Sequence, residues 1–253
     1  MQENPVIKNE NDPVAKMEVY QQPIGEHIKA LRKSLLYCLG TVVSVFLIII
    51  TFYSDIFMQF LSEPIKARGI QFIYLGLAEA MTAQLKVSFI AAFVIACPVI
   101  FWQLWSFVKP ALYEDERKAV ALFTIISIAL FITGVCFGYL VVFLSAITFF
   151  VYMGENLATP MLSISEYVGF LFGFILPFGL VFEIPVVTFV LCKMGIVDIE
   201  FLVRIRKYVV LFIFTVAAFL TPPDAISQIL MALPMLALYE AGILVVRFAC
   251  KAK

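Results

Sequence analysis

Apolar residues gather in six runs, at about 35–53, 86–107, 119–144, 168–192, 208–220 and 225–246, with polar stretches between them. A helix needs roughly 20 residues, at 1.5 Å each, to cross about 30 Å of hydrocarbon. The first four runs meet that length. The fifth, Tyr208–Leu220, covers only about 20 Å at the same rise. It ends at Thr221-Pro222-Pro223-Asp224, where neither proline donates a backbone hydrogen bond. The sixth run follows at once, so the pattern predicts a tight helical hairpin whose spans are short for a normal bilayer. Local thinning, lipid rearrangement or oligomerisation would meet such a mismatch. The predicted fold is an all-α membrane protein of six transmembrane helices, with spans five and six short.

Residues 1–23 are polar and punctuated by Pro5, Pro13 and Pro23. Without an apolar stretch or a cleavage site they read as a disordered tail and not a signal peptide. The membrane domain is expected over 24–248, followed by a short tail over 249–253. Of the eighteen basic residues, only Lys66, Arg68 and Lys86 fall on one side of the predicted spans; fifteen fall on the other. Basic residues accumulate on the cytoplasmic side, which puts both termini there. The outer segments, about 54–85 and 145–167, are the long ones. Helical apolar spacing over Asp55–Leu61 predicts a partly helical periplasmic cap, since thirty-odd structureless residues would be unusual.

Composition bears this out: of 253 residues, 63% are hydrophobic and 14% charged, with a mean hydropathy of +1.02. A soluble domain carries roughly 45–50% apolar and about 25% charged residues. Net charge is zero, which leaves no basic footprint for nucleic acid. The five cysteines, Cys38, Cys97, Cys136, Cys192 and Cys250, are scattered in or beside apolar runs and read as small core residues, not as disulfides or a metal site.

Glu183 lies deep in the fourth run, in Phe182-Glu183-Ile184-Pro185. An ionised carboxylate at mid-membrane costs about 2.5–3.5 kcal/mol on insertion scales, so Glu183 is expected to be protonated, hydrated or paired. It is either a functional carboxyl or a hydrogen-bonding group for a neighbouring helix or a carbonyl freed by Pro177 or Pro185. Asp224 reads as the N-cap of span six. Gln228, one turn on, either bonds another helix or pairs with Asp224. The loop Lys109–Lys118 carries Glu114-Asp115-Glu116 on the cytoplasmic side. These acids either start a helix, where carboxylates are favoured, or bind cationic ligands. His27, the only histidine, reads as structural. Gly134-xxx-Gly138 and Gly169-xxx-Gly173 permit close helix approach. HExxH, GxSxG, Walker A and CxxC motifs are absent, so no enzyme, cofactor or metal is expected.

Several segments together, in order, resemble the TatC family, the receptor subunit of the twin-arginine translocase. They are Pro98–Phe107 running into Lys109-Pro110-Ala111-Leu112-Tyr113 and Glu116-Arg117, then Phe178–Pro185, Thr221–Asp224 with Gln228, Ala232-Leu233-Pro234 and Tyr239-Glu240. The resemblance covers about residues 24–248. It implies recognition of twin-arginine signal peptides on folded cargo, transport driven by the proton-motive force, and work in the cytoplasmic membrane with TatA- and TatB-type single-span partners, self-association being left open. By motif position, Glu116 matches the acid that reads the arginine pair, and Phe107, Pro110, Leu112 and Tyr113 match its surrounding loop. His27, Leu31 and Arg32 match a motif of the first helix, Glu183 matches the family's intramembrane Glu, and Thr221, Asp224 and Gln228 match the region where partner helices dock. The chain departs from the family at Ala30, preceded by Lys29, where a second arginine-reading Glu is usual. Glu26, one turn earlier on the same helix face, is the expected partial substitute. A proton- or cation-coupled transporter using Glu183 is the alternative reading, disfavoured by the lack of a repeat between residues 35–144 and 168–246.

Overall fold

In a computed structural model of the chain, which describes residues 24–109, 120–154, 161–221 and 224–250, the apolar runs are helices. Helix α1 spans Ile24–Phe52 and breaks at Tyr53 into α2, Ser54–Lys66. After a short strand β1, Gln71–Ile73, comes α3, Glu79–Val108, the longest helix at 30 residues. Helix α4, Val120–Phe137, runs through a π-helical turn, Gly138–Phe143, into α5, Leu144–Gly154. Strand β2, Met161–Ser163, leads to α6, Ile164–Val181, and α7, Ile184–Lys193. The chain ends in the hairpin of α8, Ile199–Leu220, and α9, Ala225–Cys250.

Among the described residues, five helical stretches are long and apolar enough to cross a membrane: Ile28–Phe52, Glu79–Val108, Val120–Gly154, Ile164–Lys193 and Ala225–Phe248. The third and fourth are α4 with α5 and α6 with α7, each a broken or bulged helix crossing as one. Helix α8 is not among the five. Its first half carries Arg204, Arg206 and Lys207, and its apolar part is the run Tyr208–Leu220. Shortness in the hairpin therefore belongs to α8, because α9 is a helix of 26 residues.

The expected cap exists and holds one element not predicted. Helix α2 covers Asp55–Leu61 and buries Leu61 and Ile65. Strands β1 and β2 pair in parallel, Phe72 opposite Leu162, so the two long outer segments are tied to each other. Glu79, at the start of α3, fastens the tie. One carboxylate oxygen accepts from the backbone N–H of Leu75 (2.5 Å) and Gly76 (3.2 Å). The other accepts from the Ser163 hydroxyl and from the Ser165 N–H at 3.3 Å. Tyr167 donates its hydroxyl proton to the Leu61 carbonyl (2.5 Å), pinning α2 onto α6.

The core lies where α3, α4 and α6 meet, around Phe143, Phe174 and Phe178, all fully buried. In lipid there is no hydrophobic drive between helices, so contact depends on close backbone approach. A Cβ added at Gly134 would sit 2.6 Å from the Phe178 carbonyl oxygen, and one at Gly138 would sit 2.9 Å from the Phe178 Cβ. The first glycine pair is thus the seat of α4 on α6. The second pair divides: Gly173 faces the Leu220 carbonyl at 3.0 Å, whereas a Cβ at Gly169 would meet only the Lys86 ammonium, at 3.8 Å. Helix α1 packs mainly on α3, with Ile49 against Ala91 and Ala92 and Phe57 of α2 beside them, and is otherwise largely open to lipid. Among the described residues Cys97 is a buried thiol, as expected of a core filler, whereas Cys38 is half-buried and Cys136 is exposed on the outer surface of its helix, so the core reading holds for Cys97 and not for Cys136.

Candidate functional site

The residues singled out from the sequence fall into three places. The first is the end of the bundle opposite the cap. Helices α1 and α3 run antiparallel, and the Ser34 hydroxyl donates to Gln103 Oε1 at 3.5 Å. Leu31 and Phe107 each lie about one turn beyond that contact, Leu31 on α1 and Phe107 on α3. The start of α1 and the end of α3 therefore stand side by side at one end. Leu31 is 41% exposed and Arg32 is exposed, so both are open to a ligand there. Glu26 and His27 belong to the first turn of α1. Pro110, Leu112, Tyr113 and Glu116, with Glu114 and Asp115, lie outside the described residues. Lys29, Arg32 and Lys33 line one shallow concavity with Leu36 and Tyr37. That face is therefore positively charged.

The second place is the junction of α6 and α7. The prolines Pro177 and Pro185 flank it, and the helix gives way to a turn at Phe182-Glu183 because Pro185 has no N–H to continue the ladder. Glu183 becomes the residue before α7 and is 7% exposed. The Ser127 hydroxyl of α4 lies against its carboxyl group. Ser127 in turn accepts a hydrogen bond from Trp105 Nε1 of α3 at 3.0 Å. Three helices are thus joined by a buried chain, Trp105 to Ser127 to Glu183, with Cys97 close by. One carboxyl oxygen of Glu183 has no hydrogen-bond partner, and among the described residues Glu183 makes no ion pair. Of the states expected for it, pairing with a cation is therefore absent among the described residues, and the polar group set against the carboxyl is the Ser127 hydroxyl of a neighbouring helix. Trp105 and Ser127 escaped sequence reading: a serine among Thr124, Ser127 and Thr133 in one apolar run carries no mark of which hydroxyl faces inward.

The third place is the α8–α9 hairpin. Asp224 caps α9, accepting from the Ser227 N–H at 2.7 Å. Thr221 is buried and returns its hydroxyl proton to the Ala217 carbonyl of its own helix (2.9 Å). Gln228 donates from Nε2 to the Phe214 carbonyl of α8 at 3.0 Å. Between bonding a helix and pairing with Asp224, Gln228 does the first. It stays half-buried and, with Phe214, Thr215, Ala218 and Phe219, lines a concavity of about 310 Å³ on the outside of the hairpin. At the other end Arg206 of α8 forms a two-pronged ion pair with Glu240 of α9, at 2.8 Å for each contact. Tyr239 donates to the Leu202 carbonyl at 2.7 Å.

Comparison with known proteins places this arrangement. Residues 26–234 match the family model for the Sec-independent protein translocase protein TatC. A Sec-independent protein translocase protein TatC from Carboxydothermus hydrogenoformans is 40% identical over 233 residues, covering 92% of this chain and 96% of the relative. The TatC protein of Escherichia coli K12 is 36% identical over 229 residues, covering 90% and 89%. A solved crystal structure of a twin-arginine translocase receptor, TatC, superposes with a TM-score of 0.82 at 34% identity, covering 88% of this chain and 99% of that one. With one family matched along nearly the whole chain in sequence and in fold, this multi-pass membrane protein belongs to the TatC family of Sec-independent protein translocases.

Proposed function

We propose that the chain is the receptor of a twin-arginine translocase. It binds the arginine-pair signal peptides of folded cargo on the cytoplasmic side and passes the cargo across the cytoplasmic membrane, independently of Sec, using the proton-motive force. The observation that carries this is the superposition, over 88% of the chain, on a solved twin-arginine translocase receptor. Neither the family nor the fold supports the ion-coupled transporter reading. Six crossings with both termini cytoplasmic follow if α8 crosses through a thinned bilayer.

Glu116 is the principal arginine-reading acid, with Phe107, Pro110, Leu112 and Tyr113 around it and Leu31, Arg32 and His27 beside it on α1. The apposition of α1 and the end of α3 through Ser34 and Gln103 supports that grouping. Single-span partners of TatA and TatB type dock on the hairpin at Thr221, Asp224 and Gln228, where the concavity beside Gln228 offers a polar group among apolar ones. The chemistry is binding and conformational change; no bond is made or broken by this chain.

The test is a titration of the detergent-solubilised protein with a fluorescent twin-arginine signal peptide. Saturable binding is expected, lost when Arg-Arg becomes Lys-Lys, since a lysine cannot reproduce the planar fork of a guanidinium on a carboxylate. Equal binding of the two peptides would reject the receptor reading.

A further inference from the structure

Near the cap end, between α3, α5, α6 and the end of α8, lies a cavity of about 650 Å³ with an unusual rim. Its walls include Phe150, Phe170 and Leu220, and its polar groups include Lys86, Ser165 and Glu166. Lys86 lies seven residues into α3, so its backbone is roughly 10 Å along the axis from Glu79. Its ammonium reaches Ser165 Oγ at 3.4 Å, a neutral partner. Among the described residues neither Lys86 nor Glu166 has an ion-pair partner, and they do not pair with each other. Helical side chains lean toward the N-terminus, which here is the cap end, so Lys86 reaches outward to headgroup depth as long basic side chains do. The rim thus offers an unneutralised cation, an unneutralised carboxylate and a hydroxyl at the edge of an apolar slot.

We propose that this cavity binds a zwitterionic glycerophospholipid. The phosphodiester rests on Lys86 and Ser165, the headgroup ammonium turns to Glu166, and one acyl chain fills the slot between Phe150, Phe170 and Leu220. The volume fits this occupant better than a partner helix. A helix 10–12 Å across would fill about 650 Å³ in little more than one turn, whereas small-molecule sites run from about 300 to 1,000 Å³. Position also fits, because the cavity abuts the end of α8, the helix whose apolar run is too short for the bilayer. A lipid held there would seal the step in membrane thickness.

Native mass spectrometry of the delipidated protein in mild detergent tests the site with three probes: phosphatidylethanolamine, a diacylglycerol with the same chains, and inorganic phosphate. One phosphatidylethanolamine per chain is expected, bound at least about tenfold more tightly than diacylglycerol, the effect of one charge-assisted hydrogen bond. Inorganic phosphate, lacking the acyl chain, should not bind. Lys86→Gln should weaken lipid binding about tenfold while Lys86→Arg keeps it. Gly169→Leu grows into the cavity, since a Cβ there meets only the Lys86 ammonium. It should exclude the lipid with the charge intact, and it keeps the test decisive if Lys86→Gln fails to fold. Equal affinity for the two lipids would overturn the proposal. So would an undiminished lipid count in Gly169→Leu, or a photocrosslinker at position 169 that captures a single-span protein and no lipid.

Discussion

At Ala30 the first helix carries a methyl group where the TatC family has a carboxylate, and Lys29 beside it adds a positive charge. If two guanidiniums are read, Glu116 must carry most of the attraction. Glu26 lies one turn before Ala30 on the same face, so a carboxylate there starts from a different position than one at residue 30. A hydrogen bond to a charged group contributes roughly 1.5–3 kcal/mol and a water-exposed ion pair about 0.2–1 kcal/mol. Glu116→Ala is therefore expected to weaken twin-arginine peptide binding about tenfold or more, and Glu26→Ala only several-fold. Ala30→Glu should tighten binding. Fluorescence titration of the three variants decides; an indifferent Glu116→Ala would mean the site is elsewhere. Glu183 poses a different question. Glu183→Gln preserves the shape of the side chain and its contact with Ser127, so folding should survive and transport fall only modestly. Glu183→Lys puts an uncompensated cation in a buried site beside Cys97 and Ser127, and should impair transport severely. A folded, inserted but inactive Glu183→Gln in a cargo-export assay would assign Glu183 an ionised role instead.

Elements in this chain are joined by what their surfaces lack as much as by what they carry. Gly134 lets α4 approach the Phe178 backbone so closely that any Cβ would overlap the carbonyl oxygen. Backbone cannot swing aside, so Gly134→Val should cost about 1–3 kcal/mol, the usual penalty of overpacking. Gly40, with nothing within 4 Å of an added Cβ, is the control: Gly40→Ala should be neutral or slightly stabilising through helix propensity. Thermal unfolding in detergent separates the two, and similar melting temperatures would contradict the described α4–α6 contact. The π-helical turn Gly138–Phe143 lies in the same region. Its side chains Tyr139 and Phe143 turn into the aromatic cluster with Tyr167 and Phe174, a placement that a period of 3.6 residues does not predict.

For the whole molecule, orientation follows from the basic residues, and thickness from the lengths of the helices. On the six-crossing topology fifteen of the eighteen basic residues lie on one side, and cysteines placed singly at Gly154 and Glu200, in a cysteine-free background, should then label from opposite faces of intact cells. An impermeant maleimide should reach Gly154→Cys and fail at Glu200→Cys. Labelling of both would overturn the six-crossing topology, and α8 would then lie along the membrane surface instead of crossing it.

Sequence by itself determined the number of apolar segments and the helical cap over Asp55–Leu61, through hydrophobic pattern, and the Asp224 cap and the hairpin at the proline pair, through residue type. Each depends on local physics: a span of hydrocarbon to cross, a lost N–H, a first turn to satisfy. The ordered motifs also placed the chain in its family. Tertiary structure alone decided which partners those segments take. The parallel pairing of β1 with β2 joins residues some ninety positions apart, and three-residue strands have too little pattern to announce themselves. The chain Trp105–Ser127–Glu183 gathers one group from each of three helices, because a buried hydroxyl in lipid settles on whichever polar atom packing brings near. Lys86 and Glu166 likewise reach one cavity rim by the fold. In the sequence, Lys86 is only the first residue of an apolar run and Glu166 an acid in a helix's first turn.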